Sequence, residues 1–195
     1  MAIFRSRCSQ TQTNALDSQV PTLVHKPEFL SEAEEARLLQ WFLTGLAPGR
    51  ENAGTIRRAV WRFGSSVPYA SYMRSSQIPA PFKDIIDRLM AENICPADHR
   101  PDSVTINEYQ PKQLIAPHID HVDSGKVITV ISLGSPALML FENGSSPSSN
   151  ALYLELAPRC LTQISDSLRY DWKHSIAPVS QTRYSLVFRC STVGA

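Results

Sequence analysis

Arg183-Tyr184-Ser185-Leu186-Val187-Phe188-Arg189 is the stretch on which the fold turns. As a β-strand it puts Tyr184, Leu186 and Phe188 on one face and Arg183, Ser185, Val187 and Arg189 on the other, because successive side chains alternate. The first face is apolar and fits a core. The second carries two guanidinium groups and a hydroxyl. Such a set suits either a bidentate clamp for a dicarboxylate or two solvated strand-end arginines.

Further short β-rich runs precede this strand: Ser103–Tyr109, Val127–Leu133, Leu138–Phe141, Ala151–Leu156 and Cys160–Ser165. Pro111, Gly134-Ser135-Pro136 and Asn143-Gly144-Ser145-Ser146-Pro147 punctuate them as turns. Before Pro101 the texture is helical. Ser31-Glu32-Ala33-Glu34 is a capping box, followed by an apolar stripe of Leu38, Leu39, Phe42 and Leu43 and by Gly45, which can end a helix. A second helix is expected from near Pro81, with Phe82, Ile85, Ile86 and Leu89 on its buried face. Helices first and many short strands after predict an α+β, mainly β domain, a sandwich or barrel with helices packed on one side.

The chain has 195 residues, with 19 Lys+Arg against 18 Asp+Glu, a net charge of +1, and is 43% hydrophobic and 19% charged. This composition fits one packed globular domain. It excludes a histone-like polycation but leaves room for a local basic patch. Cys8, Cys95, Cys160 and Cys190 form no C-x-x-C pair and read as reduced thiols of an intracellular protein. The longest apolar stretch, Val127 to Phe141, is broken by Ser132, Gly134, Ser135 and Pro136. It falls short of the roughly 18–20 apolar residues of a membrane helix, so no membrane partner is expected. Residues 1–20 are expected to form a flexible arm; an organelle transit peptide is the alternative reading of Arg5, Arg7 and the absence of acids before Asp17. Cytoplasm or nucleus is the expected location, with the mitochondrion following from that alternative.

The chemistry concentrates in Pro117-His118-Ile119-Asp120 and, much later, Trp172-Lys173-His174. On an extended segment His118 and Asp120 share a face. His174 from a distant strand would complete two imidazoles and a carboxylate, the facial set suited to Fe(II) with open positions left over. Mn(II), Co(II) or Ni(II) would occupy the same ligands. Asn107 and Tyr109, also two apart, offer an amide and a phenol to the same pocket.

Taken together, Asn107-Glu108-Tyr109-Gln110-Pro111, Pro117 to Asp120, Ile131-Ser132-Leu133-Gly134-Ser135, Arg169-Tyr170-Asp171-Trp172-Lys173-His174 and Arg183 to Arg189 resemble the AlkB family of Fe(II)/2-oxoglutarate dioxygenases, and within it a tRNA-modifying member. The resemblance implies a double-stranded β-helix (jelly roll) with supporting N-terminal helices. It implies that residues 21–195 are the dioxygenase domain, with a lid over about 50–80 and a jelly-roll core over about 101–192. His118, Asp120 and His174 would hold Fe(II). Arg183, helped by Tyr109, would take the distal carboxylate of 2-oxoglutarate, and Asn107 the other end. Arg189 would sit beside the iron-binding carboxylate, and Ser185 would stand where several members have asparagine. The implied reaction consumes O2 and 2-oxoglutarate, releases succinate and CO2, and hydroxylates a nearby C–H; an N-methyl group so hydroxylated leaves as formaldehyde.

Substrate recognition is expected in Arg57-Arg58-Ala59-Val60-Trp61-Arg62-Phe63-Gly64, with Tyr69 and Tyr72 beyond. From Arg50 to Arg74 five arginines face one acid, a local balance of +4. Arg57, Arg58 and Arg62 with Trp61 and Tyr69 would suit a phosphate backbone and an extruded base of RNA or DNA, or else they are lid-packing aromatics beside solvated arginines. Val122 stands where base-repairing members of the family commonly carry an acid, and Asp123 comes one position late. Two alternatives to a nucleobase remain: a protein side chain as substrate, or a catalytically silent jelly-roll scaffold.

Overall fold

A computed structural model describes residues 22–46, 58–65, 74–75, 77–143 and 151–191. Residues 1–20, Cys8, Arg57, Tyr69 and Tyr72 lie outside the described residues. In chain order the elements are β1 (Leu23–Lys26), α1 (Glu32–Gly45), β2 (Ala59–Gly64), β3 (Arg74–Ser75), α2 (Ala80–Ala91), β4 (Ser103–Tyr109), β5 (Ile115–His118), β6 (Ile128–Gly134), β7 (Ala137–Asn143), β8 (Ala151–Leu156), β9 (Leu161–Ile164), α3 (Asp166–Tyr170), β10 (Trp172–Ile176) and β11 (Arg183–Arg189). A 3-10 turn, Val122–Ser124, follows β5.

Helix α1 starts where its capping box directs. The Ser31 hydroxyl accepts from the Glu34 amide at 3.2 Å, and the Glu34 carboxylate accepts from the Ser31 amide at 2.7 Å. Its buried face is Leu38 and Phe42, one helical turn apart. Leu43, expected in the same stripe, is instead 75% exposed; it follows Phe42 by one residue and so points about 100° away. Leu39 is only partly buried, and Trp41 packs edge-on against Phe42, Phe63 and Phe82. Helix α2 begins just before Pro81 and buries Phe82, Ile85, Ile86 and Leu89, the face its spacing announced.

The strands form two sheets, a large one in the order β1-β9-β6-β11-β4-β2-β3 and a small one in the order β5-β10-β7-β8. Together they make the double-stranded β-helix. The large sheet is covered on both sides. Leu186 and Phe188 pack with Ile106, Ile131 and the two helices, while Val187, Tyr109 and Ile128 face the small sheet with Met139 and Phe141. Strand β11 lies between β4 and β6, with Arg183 opposite Tyr109 and Gly134, and Ser185 opposite Asn107 and Ser132. Cross-strand partners share a face. This register therefore collects the polar residues of three strands inside the fold.

Strand β2 lies within the stretch expected as a lid, yet it pairs with β4 in the large sheet. Its partners sort its side chains: Trp61 lies opposite Ile106, and Arg62 opposite Thr105. Trp61, expected among the substrate residues, is therefore buried in the helix-side core, 7% exposed. Among the described residues no helix is long and apolar enough to cross a membrane, and Cys95, Cys160 and Cys190 are free thiols.

The contrast on α1 is measurable. Leu38→Ala should lower the unfolding free energy in urea by about 2–5 kcal/mol, as for buried leucines. Leu43→Ala should stay within about 0.5 kcal/mol of the parent.

Candidate active site

Strand β10 lies antiparallel to β5, and its register sets His174 directly opposite His118. The two imidazole centroids are 4.3 Å apart. Asp120 follows the end of β5, in the turn before the 3-10 segment, so its place beside His118 owes more to that turn than to strand alternation. Its carboxylate lies 3.9 Å from Nε2 of His118 and 3.9 Å from Nε2 of His174. One ligand atom from each of the three residues falls within 4.8 Å of the others, a spacing that could hold one metal ion. Nδ1 of His118 is 2.9 Å from the Ala116 carbonyl. With the proton on Nδ1, that bond leaves the Nε2 lone pair facing the other two groups.

Burial by itself would push the Asp120 carboxyl up, but the Arg189 guanidinium and the two imidazoles outweigh it and hold it at about 2. Arg189 donates to Asp120 Oδ1 at 2.9 Å. Burial likewise disfavours the imidazolium of His174 and brings it down to about 4, against the pull of Asp120. At neutral pH His174 is therefore a neutral imidazole and Asp120 a carboxylate, the forms in which such groups bind metals.

A cavity of about 300 Å³ runs from these three residues to Arg183 between the two sheets. Arg183 has no exposed surface. Its Nη2 donates to Ser132 Oγ at 2.9 Å and its guanidinium lies 5.0 Å from the centre of the Tyr109 ring. Nε and Nη1 have no partner. A fully buried guanidinium with two unsatisfied donors is strongly unfavourable unless an anion meets it. A carboxylate ligand matches that vacancy in charge and can accept from Nη1. The donor set therefore fits a metal at one end of the cavity and a carboxylate-bearing small molecule reaching to the other.

Asn107, Tyr109, Arg183, Ser185 and Arg189 all line this cavity together with His118, Asp120 and His174. Asn107 sits in the middle of a chain, accepting from Arg58 Nε at 2.8 Å and donating to Ser185 Oγ at 3.0 Å. One amide proton and one lone pair are left for a ligand. Arg58 and Arg62 line the same cavity. The backbone amide of Asp123, which follows Val122, donates to His121 Nδ1 at 3.3 Å, and Val122 itself is 64% exposed.

Two participants had no role assigned from sequence. Ser132 accepts from Arg183, and Arg169 binds the backbone of the Asp120 turn across 49 positions of chain. Both stand inside quoted motifs, but a contact over that separation leaves no periodic signal in the sequence.

The chain matches the family model described as the 2OG-Fe(II) oxygenase superfamily over residues 50–190. It is 33% identical over 135 residues to the uncharacterized protein L905 of Acanthamoeba polyphaga mimivirus, covering 63% of this chain and 62% of that one. It is 30% identical over 179 residues to mouse tRNA (carboxymethyluridine(34)-5-O)-methyltransferase ALKBH8, covering 87% of this chain and 26% of the mouse protein. The chain thus spans less than two thirds of either relative. Among solved structures it superposes on OsALKBH1 with a TM-score of 0.64 at 17% identity, covering 89% of this chain and 100% of that one, which shows the shared fold.

The Asp120 carboxyl gives a pH test on the metal-free chain. Because it sits at about 2 rather than 3.8, it contributes stability that is present above pH 3.8 and lost as pH falls through about 2. That difference amounts to about 2 kcal/mol. Urea unfolding at pH 5 and pH 2 should show Asp120→Asn losing about that much less than the parent. Equal losses would mean that Arg189 does not hold the carboxylate in the folded state.

Proposed function

The chain belongs to the 2OG-Fe(II) oxygenase superfamily, within its AlkB family, and from that premise we propose that it is an Fe(II)- and 2-oxoglutarate-dependent dioxygenase that hydroxylates or demethylates a modified nucleobase in RNA or DNA. The observation that carries this reading is the coexistence, in one cavity, of the His118, Asp120 and His174 cluster with the fully buried Arg183, whose Nε and Nη1 have no partner.

His118, Asp120 and His174 would hold Fe(II). Arg183 would receive the distal carboxylate of 2-oxoglutarate, with Ser132 and Tyr109 keeping the guanidinium in place. Asn107 and Ser185 offer polar contacts along the cavity wall between those ends. When bound, iron and 2-oxoglutarate supply the oxidising power: O2 is consumed, succinate and CO2 are released, and one oxygen atom enters a C–H bond of the substrate. Arg189 neutralises the side of Asp120 that it contacts and so keeps the carboxylate ionised while the site is loaded. Ile128, Met139 and Ile176 give the cosubstrate pocket an apolar wall.

Nucleic acid as substrate is supported by Arg58 and Arg62 at the cavity, by the +4 balance from Arg50 to Arg74, and by a relative named for its action on tRNA. Guanidinium groups at the cavity would bind phosphates while a base enters it.

Succinate release with Fe(II), ascorbate and O2, against a panel of methylated RNA, DNA and peptides, tests the proposal. His118→Ala should abolish turnover. Arg183→Ala should raise the 2-oxoglutarate requirement at least about 30-fold, since a buried charge pair loses 2 kcal/mol or more when truncated. Stimulation by peptides alone would redirect the reading to protein side chains. Absence of both iron and 2-oxoglutarate binding would leave the silent scaffold. For the nucleic-acid surface, Arg62→Ala should weaken RNA binding and lower its salt slope by about one.

A further inference from the structure

Arg169 is as deeply buried as Arg183, with no exposed surface, yet it does not line the cavity. It stands in the last turn of α3, five residues before His174, and reaches back across the fold to the turn that carries Asp120. One prong, Nη1, donates to the backbone carbonyl of Asp120 at 2.9 Å; the other, Nη2, donates to the carbonyl of His121. The guanidinium carbon lies 4.8 Å from the centre of the Tyr170 ring, and Nε has no partner.

We propose that Arg169 is a positioning residue of the metal site, whose two-pronged grip on the Asp120 and His121 carbonyls locks the Asp120 turn to α3, the helix that leads into the strand carrying His174. The proposal rests on His118, Asp120 and His174 being metal ligands.

The case is geometric. Asp120 lies beyond the end of β5, so no ladder hydrogen bond holds its backbone in register with β10. His118 is held by its strand pairing, whereas Asp120 depends on what grips the turn. Two adjacent carbonyls in an irregular segment point in different directions, and a rigid planar fork can satisfy both at once. A lysine ammonium on a flexible stem would keep the charge but not the paired directions. Arg169 and the Asp120 carboxylate attract each other, but a second guanidinium near a divalent cation repels it, so charge alone does not favour a bound metal. Burying a cation with an unsatisfied Nε is also unfavourable. What remains is orientation of a ligand-bearing turn, the role that outer hydrogen-bond partners commonly play at metal sites.

The test compares the parent chain with Arg169→Lys and Arg169→Met, titrated with Co(II). The readouts are the dissociation constant, the visible absorption of bound Co(II) as a report on coordination geometry, and the thermal midpoint of the metal-free protein. Loss of outer-shell partners typically weakens metal binding 10–100-fold. Both variants should fall in that range with an altered Co(II) spectrum, and Lys should not restore the parent's values although it restores the charge. Parent-like affinity and spectrum in either folded variant would overturn the proposal, as would tighter binding by Arg169→Met, which would show repulsion to dominate. Should the variants not fold, the parent still decides. Coupling between two sites is reciprocal, so saturation with Zn(II) should slow hydrogen exchange at Arg169 Nε–H at least about tenfold, and unchanged exchange would overturn the proposal. A parent that binds neither metal would instead remove the metal-site reading on which the proposal stands.

Discussion

A guanidinium with no exposed surface cannot lie between two β-sheets unprovided for, and Arg183 imposes that constraint on everything around it. Its strand is central to the large sheet, so the charge sits where water does not reach. The flanking strands answer in part, with the Ser132 hydroxyl from β6 and the Tyr109 ring from β4. Nε and Nη1 are left without a partner. The large sheet can hold such a group because its opposite face packs Leu186 and Phe188 against the helices. The cavity face is thereby released from packing and free to be polar.

Asp120 is the second junction. Arg189 meets its side chain, Arg169 meets its backbone, and two imidazoles stand within 4 Å of its oxygens. Burial works against the charge, and these neighbours reverse the outcome. Three strands and one short helix supply them, so the geometry of this single carboxylate integrates the packing of both sheets. A metal bound here would read that packing directly, which gives a physical route by which distant core changes reach the chemistry.

Much of this was legible before any fold was known. The capping box of Ser31 and Glu34, the buried face of α2, the ends of β4 and β8 and the two faces of β11 follow from local chemistry and from periods of 3.6 and 2. Three strands whose bounds were not read share a reason. Leu23–Lys26, Ile115–His118 and Trp172–Ile176 are short and carry Lys or His among apolar residues, so their pairing with neighbours, not their composition, makes them strands. Ala59–Gly64 was expected in a lid because the family resemblance placed one there. In the fold Arg58 and Arg62 line the cavity, while Trp61 joins the core. Leu43 shows the same limit on a helix, where one residue of rotation separates core from solvent.

The sequence by itself determined which chemical groups exist and roughly how they share faces: two imidazoles and a carboxylate, two arginines and a hydroxyl on one strand, an amide and a phenol on another. Local alternation and motif spacing carry that information because they act between neighbours. Only the tertiary structure decided that His174 would stand opposite His118, that Arg183 would be left with two open donors, that Trp61 would turn inward and that Arg169 would hold the Asp120 turn. Each of those depends on strand register and burial between segments tens of residues apart, and register is settled by the whole core packing at once.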